Sequence, residues 1–161
     1  MKTTVDAGAF FKALNRVIPL LKVSAIPALS EASIQFHDGV CTITATDLEL
    51  WVQTDIPAAG DDFGVVLSGT KSITKAGKLF RGPLTFSCAD AAVSSPQITM
   101  TCADKSAEFT GHPLKDYPEL PRFTCEQAYT ANAAQLLTCI GRIKYAAQRR
   151  SDSRPVMSGV R

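Results

Sequence analysis

The most constraining feature of the chain is an order of predicted elements that runs twice through its first 110 residues. Alternating apolar segments, amphipathic stretches and turn residues predict a strand, a helix and three strands, and then the same series again without obvious residue identity. The first series occupies 3–5, 7–18, 32–37, 40–46 and 48–56, and the second occupies 63–67, 69–80, 84–88, 97–102 and 106–110. This order predicts an α+β fold of duplicated strand-helix-three-strand units, with helices on one face of antiparallel sheets.

Several local signals mark the ends of these elements. Asp6 has the residue type of a helix N-cap, and Pro19 predicts the end of the first helix. Asp38 and Gly39 predict a tight turn between two strands. Residues 58–62 are interpreted as a loop, and residues 112–122, which contain three prolines, as an extended linker. The sequence therefore predicts a domain boundary near residue 121.

A second copy of the module begins after this boundary. An offset of 126 residues aligns Ala133 with Ala7, Leu136 with Phe10 and Ile140 with Leu14. We therefore expect a domain at 1–121 and a partial second domain at 122–161, with a strand, a helix and the start of another strand. So short a segment cannot bury a core by itself.

The charged residues are sorted by segment, although the net charge is only +2. Residues 31–62 contain seven acids and no Lys or Arg, whereas the predicted helical stretches 7–22, 68–81 and 133–150 contain eleven of the 17 basic residues and no acid. This layout is typical of a protein that holds a polyanion on one surface, although a basic helix can also be a simple solvated face. The candidate polyanion-contacting residues on these helices are Lys12, Arg16, Lys78, Arg142, Lys144 and Arg149.

One basic row has two possible partners. Lys71, Lys75 and Lys78 follow each other at helical spacing, so they repel one another unless an anion lies nearby. That anion is either DNA or an acidic partner subunit.

No catalytic, metal or cofactor site is predicted. The chain lacks G-x-S-x-G, H-E-x-x-H and a phosphate-binding glycine loop. Its five cysteines include no C-x-x-C pair, and we interpret them as reduced residues of a cytoplasmic protein. Asp47 and Glu49 are predicted on one strand face, which we interpret as solvated rather than metal-binding. No apolar run is long enough to span a bilayer.

Five short segments carry a resemblance to a known family. They are Met1-Lys2-x-Thr4-Val5, Ile26-Pro27-Ala28-Leu29, Thr44-Ala45-Thr46-Asp47-Leu48-Glu49, Asp116-Tyr117-Pro118-Glu119-Leu120, and Arg154 with Gly159. In content and spacing they resemble the bacterial DNA polymerase III beta subunit, the sliding clamp, over its first domain and the start of its second. The resemblance implies the DNA clamp fold and a non-catalytic processivity factor. Two three-domain subunits of such a factor close a ring around duplex DNA, without reading its sequence, and tether the replicative polymerase.

The resemblance also implies roles for individual residues. The basic helices would face DNA. Lys22 lies next to the family's DNA-contacting loop residue, whose place Val23 takes, and Arg150–Arg154 resembles a second loop that contacts DNA. Arg154 and Met157 match part of the pocket for polymerase and clamp-loader subunits. The subunit interface would include Lys71, Lys75, Leu79, Ala107 and Glu108. Pro155 and Val156 replace paired aromatic residues of some members, and Lys75 replaces an apolar residue. The alternative is a shortened clamp-like protein that forms no ring and binds DNA or clamp partners weakly.

Overall fold

A computed structural model describes residues 1–21, 26–120 and 128–146. The chain divides into two compact units, Met1–Leu120 and Pro121–Arg161. Each unit is described by itself below.

The first unit contains the predicted series of elements twice. Its first half has the elements β1 (Lys2–Asp6), α1 (Ala7–Val17), β2 (Ala32–His37), β3 (Val40–Thr46) and β4 (Trp51–Gly60). The second half has β5 (Phe63–Leu67), α2 (Thr70–Ala76), β6 (Pro83–Cys88), β7 (Gln97–Cys102) and β8 (Lys105–Pro113). Short 3-10 turns occupy Ile18–Leu20, Pro27–Ser30, Gly77–Leu79 and Leu114–Asp116. The prediction of a duplicated α+β fold is confirmed.

The eight strands close on themselves through antiparallel pairs, in the order β1-β4-β3-β2-β5-β8-β7-β6. Closure depends on β4, which pairs with β3 up to Pro57 and then with β1 from Ala58 to Gly60. Gly60 has φ 140°, and a Cβ atom there would lie 2.3 Å from the Lys2 carbonyl oxygen. Only glycine fits this close approach of β4 to β1.

Two strand edges in the first unit are open. Between Lys105 and Thr110, β8 is paired with β7, and its pairing with β5 begins only at Gly111. The Trp51–Pro57 part of β4 is likewise paired with β3 alone among the described strands. Both stretches therefore present backbone donors and acceptors that no described strand uses.

Helix α1 supplies much of the core. Asp6 caps it by accepting a hydrogen bond of 2.8 Å from the Ala9 N–H, and the apolar residues that recur every three or four positions are buried. The ring centroids of Phe10 and Phe86 are 4.9 Å apart, and those of Phe36 and Phe86 are 5.5 Å apart. Aromatic contacts thus join α1 to β2 and β6.

The predicted bounds of the fourth strand, 48–56, are wrong at both ends. Residues 47–50 form a turn in which the Leu50 N–H donates to Asp47 Oδ1 at 2.9 Å and Leu48 has φ 73°. Asp47 and Glu49 therefore do not share a strand face. Residues 58–60, predicted as loop, extend the strand because they pair with β1.

The linker predicted at 112–122 is also wrong over its first part. His112 and Pro113 complete β8 opposite Val66 and Val65. Tyr117 is buried, and its hydroxyl lies 3.3 Å from the Thr44 carbonyl oxygen, to which it donates. Long-range pairing and burial therefore attach this proline-containing segment to the first unit.

The described part of the second unit centres on α3 (Ala133–Ile143), which Asn132 caps through the Gln135 N–H at 3.1 Å. Residues 128–132, just before the helix, form no strand. Leu136 and Leu137 are 51% and 69% exposed, whereas Phe10 and Phe11 at the matching α1 positions are buried. Among the described helices, none has the length and apolar character needed to cross a membrane.

Candidate nucleic-acid interface

The solvent-facing side of α1 is basic. Phe10, Leu14 and the other apolar residues turn into the core, which leaves Lys12 and Arg16 exposed, four residues apart, on the opposite side. The carboxylate at the start of α1, Asp6, is engaged as the N-cap. No acidic residue lies in the first turn of the helix itself.

A second basic row lies on α2 and the 3-10 turn that follows it. Lys71, Lys75 and Lys78 are exposed, whereas Ile73 between them is buried. Glu31 approaches this helix, but its Oε2 atom accepts a hydrogen bond of 2.8 Å from the Thr70 N–H at the helix start. The acid thus binds the backbone of the helix and forms no ion pair with the lysine row.

The two helices meet at a groove. The rings of Phe11 and Phe80 stack with centroids 6.1 Å apart, and Gly77 lies so near that an added Cβ would be 2.5 Å from Phe11. Lys75 and Lys78 line the groove together with Arg81, which the sequence did not indicate as a candidate. Lys12 and Arg16 lie on α1 but do not line the groove. Arg81 was not selected as a contact because it lies just after the predicted helix 69–80, although it follows Lys78 by three residues.

These cations lack carboxylate partners. Between described residues, the ion pairs within 4.0 Å are those of His37 with Asp38 and Asp62. None of the basic residues on α1, on α2 or in the groove takes part in such a pair. Their positive potential is therefore not offset by contacts inside the described part of the protein.

The candidate subunit-interface residues lie on two elements that contact each other, the α2 segment and β8. The Lys105 ammonium at the start of β8 donates to the Leu79 carbonyl oxygen at 2.8 Å. Leu79 is 59% exposed, Ala107 is half-buried and Glu108 is exposed on the open stretch of β8. The structure thus joins the end of the α2 segment to an open strand edge. Lys71 and Lys75 lie on α2, before this junction in the chain.

The remaining candidates fall elsewhere. Arg142 and Lys144 are exposed on α3 and the 3-10 turn after it, in the second unit. Lys22, Arg149, Arg150, Arg154 and Met157 lie outside the described residues.

The buried thiols offer no reactive nucleophile. Burial raises the pKa of Cys41 to about 12, and it raises the pKa of Cys88 as well. A thiol rather than a thiolate is then present at neutral pH, and the thiol is the unreactive form. Cys102 is also buried, whereas Cys139 is exposed on α3.

A duplicated strand-helix-three-strand unit closed by antiparallel pairs is the architecture of a sliding-clamp domain, and the first unit has that fold. Its solved counterparts are beta subunits of bacterial DNA polymerase III. The Pseudomonas aeruginosa beta subunit is similar over 99% of this chain and 43% of its own, with a TM-score of 0.87 and 16% identity. The Streptococcus pyogenes beta subunit is similar over 97% and 42% respectively, with a TM-score of 0.83 and 18% identity.

A third counterpart is the Bartonella birtlesii sliding clamp, solved bound to griselimycin. It is similar over 95% of this chain and 40% of its own, with a TM-score of 0.83 and 20% identity. The chain thus spans about two fifths of the length of these clamps. No protein-family model matches the chain, and no curated protein matches it. The resemblance found in the sequence is confirmed at the level of the fold.

Proposed function

We propose that the chain is the N-terminal portion of a DNA sliding-clamp subunit, a non-catalytic processivity factor. The observation that supports this proposal most strongly is that α1 and α2 of a clamp-fold unit both expose cations without ion-pair partners among the described residues. Residues 1–121 form the N-terminal clamp domain and residues 122–161 begin the central domain. The free cysteines agree with the cytoplasmic location that the proposal includes.

The proposed contact is with the phosphate backbone of duplex DNA. Lys12, Arg16 and Lys78 of the first unit, and Arg142 and Lys144 of the second, supply charge without reading bases. Lys22, Arg149, Arg150 and Arg154 are proposed to supply further charge to the phosphate backbone. Affinity then falls as salt rises, because each neutralised phosphate releases counterions. Encirclement by the assembled ring, rather than tight binding, retains the protein on DNA.

The proposed assembly uses the α2 segment and the open stretch of β8. Lys71, Lys75, Leu79, Ala107 and Glu108 form this subunit interface, where the strand edge is free to extend a sheet into a neighbouring clamp domain. Arg154 and Met157 belong to the pocket for the polymerase and the clamp loader. No cofactor is needed for any of these roles.

Duplex binding by a charge-reversal variant tests the DNA-facing assignment. Fluorescence anisotropy with a labelled duplex of mixed sequence should show weak, sequence-independent binding that a Lys12→Glu, Arg16→Glu, Lys78→Glu, Arg142→Glu variant loses. A double charge reversal away from the basic helices is the control for a double charge reversal on them. Lys12→Glu with Lys78→Glu should lower the salt slope of log K by about 2 units, whereas Lys2→Glu with Lys115→Glu, which lie off the helices, should not. Equal losses in the two pairs would show a net-charge effect and contradict the assignment.

Retention on circular DNA separates the ring from the alternative, a shortened clamp-like protein that binds DNA weakly. A ring remains on a closed circle and slides off after linearisation, whereas a surface-bound protein dissociates from both at the same rate. The readout is the half-life on nicked circles before and after cutting, with the loader and polymerase present.

A further inference from the structure

His37 lies between two carboxylates, away from the basic helices. Its Nδ1 atom is 2.7 Å from Asp62 Oδ2, and its Nε2 atom is 3.3 Å from Asp38 Oδ2. One ligand atom from each of the three residues lies within 4.8 Å of the other two. All three side chains are more than half exposed, so water and ions reach them.

Backbone pairing and a tight turn place these three residues side by side. In the ladder between β2 and β5, Phe36 is opposite Phe63, so the next residues outward, His37 and Asp62, also face each other. Asp38 and Gly39 have φ 50° and 76°, and they form the two-residue turn between the paired residues His37 and Val40. Residues with positive φ at both central positions fix such a turn tightly.

Asp61, the acid next to Asp62 in the chain, is held by hydrogen bonds to β1. The Asp61 carboxylate accepts a hydrogen bond of 2.7 Å from the Lys2 N–H, and the Asp61 N–H donates to the Lys2 carbonyl oxygen at 3.0 Å. These bonds attach the β4–β5 connection, which contains Asp62, to β1. The Asp62 and Asp38 carboxylates, by contrast, have no Lys or Arg within 4.0 Å among the described residues, and the imidazole is their shared partner.

We propose that His37, Asp38 and Asp62 bind a divalent transition-metal cation, with Zn²⁺ as the representative ion. An imidazole nitrogen with two carboxylate oxygens is a donor set suited to Zn²⁺ and its first-row neighbours, whereas Ca²⁺ and Mg²⁺ take oxygen donors. Water completes the coordination. The exposed carboxylates rotate to close the present spacing around one ion, and the rotamer freedom they lose makes the binding weak and exchangeable.

Such an ion would join two connections that are distant in sequence. Asp38 lies in the β2–β3 turn, and Asp62 lies between β4 and β5. Because the ion binds only when these connections are side by side, it stabilises the folded first unit by mass action. The proposal is independent of the DNA-binding function, since no basic helix residue takes part.

The test is a titration of the full chain with zinc chloride alone, followed by calorimetry and by the NMR shifts of the histidine rings. Cys125→Ser and Cys139→Ser form the background, so that neither of these thiols competes for zinc. We expect one saturable site with perturbed His37 ring signals. His37→Gln or Asp62→Asn should weaken binding at least about tenfold, whereas His112→Gln, the matched change at the other histidine, should not. Magnesium chloride should give no comparable shift.

Far-ultraviolet circular dichroism of each variant shows that loss of zinc binding is not loss of folding. The proposal is overturned if the titration shows no saturable site, or if Asp62→Asn and His37→Gln bind zinc as the background protein does. In either case duplex binding by the helices remains unaffected, so the two proposals fail separately.

Discussion

Gly77 lies where α1 and α2 come together, and it has no room for a side chain. A Cβ there would be 2.5 Å from the Phe11 ring, which itself stacks on Phe80. We expect Gly77→Ala to lower the free energy of unfolding by about 1–3 kcal/mol, because the buried ring has to shift in a packed core. Urea unfolding followed by circular dichroism measures this.

Gly141→Ala is the matched control for this change. Gly141 lies inside α3, and an added Cβ there meets nothing within 4 Å. The replacement should leave stability unchanged or raise it slightly, because alanine favours the helix. A fall equal to that of Gly77→Ala would show that the effect is not the contact with Phe11.

Tyr117 should make stability fall at alkaline pH. Burial raises the pKa of its hydroxyl to about 12, whereas the unfolded chain ionises near about 10. Its contribution is therefore fully present below about pH 10 and is lost as the pH rises from about 10 to 12, because the unfolded state releases the proton first. Urea midpoints measured across this range should decline.

Tyr117→Phe provides the comparison for the alkaline decline. Cys41, whose pKa is also raised to about 12, acts in the same direction, so only the difference in slope between the two proteins reports Tyr117. The variant should decline less steeply, whatever its stability at neutral pH. Parallel slopes would contradict the prediction.

Single-residue signals in the sequence were reliable where the chemistry was local. Asp6 caps α1, and Asp38 with Gly39 forms the predicted turn. The left-handed conformation of Leu48 was not predicted, because leucine has no intrinsic preference for it. The special role of Gly60 was also missed, since it depends on the approach of β1, which no local pattern encodes.

At the scale of elements, α1 is the helix whose loss the first unit could least tolerate. Phe10 is fully buried, and its ring packs against Phe86 of β6. We expect Phe10→Ala to lower the free energy of unfolding by about 3–5 kcal/mol. Lys12→Ala, on the exposed face of the same helix, should change it by less than about 0.5 kcal/mol. Comparable effects in urea unfolding would contradict the assignment of the two faces.

Hydrophobic periodicity predicted α1, the start of α2 and several strands with nearly exact bounds, because amphipathic spacing is a local property. The helix predicted at 69–80 is α-helical only to Ala76 and continues as the 3-10 turn Gly77–Leu79. The C-terminal ends of β4 and β8 were wrong for the same reason. Residues 58–60 and 112–113 are strands only because β1 and β5 lie beside them. Pairing with a strand that is distant in sequence is not encoded in the local hydrophobic pattern, so it cannot be predicted from that pattern.

At the scale of the molecule, we predict that residues 1–120 fold without the rest of the chain. Their eight strands close on themselves, and their core contains the buried faces of α1 and of the strands around it. The isolated segment should unfold in one cooperative transition, as small domains do. Calorimetry measures this, and a broad transition would contradict it.

A shorter segment, residues 1–111, is the control for this boundary. It lacks His112, Pro113 and Tyr117, and with them part of the β5–β8 pairing and the hydrogen bond to the Thr44 carbonyl. It should be markedly less stable than 1–120. Equal stability of the two segments would show that residues 112–120 act as a linker, as their prolines indicated, and contradict their assignment to the first unit.

The charge sorting in the sequence correctly located exposed cations on α1 and α2, but it could not predict their arrangement. Lys75, Lys78 and Arg81 meet at the groove, and Lys12 and Arg16 lie apart from it. Arg81 directly follows Phe80, whose ring stacks on Phe11 of α1. Which cations share a surface is a tertiary property, and a charge pattern along the chain does not contain it.

The open stretches of β4 and β8 also bear on how the purified protein should be handled. The open stretches carry few charges, Lys105 and Glu108 on one and Asp55 on the other, so little repulsion keeps the strand edges of neighbouring molecules from pairing. Concentrated stocks should therefore become polydisperse, and dilution should restore a sample uniform enough for crystallisation or scattering.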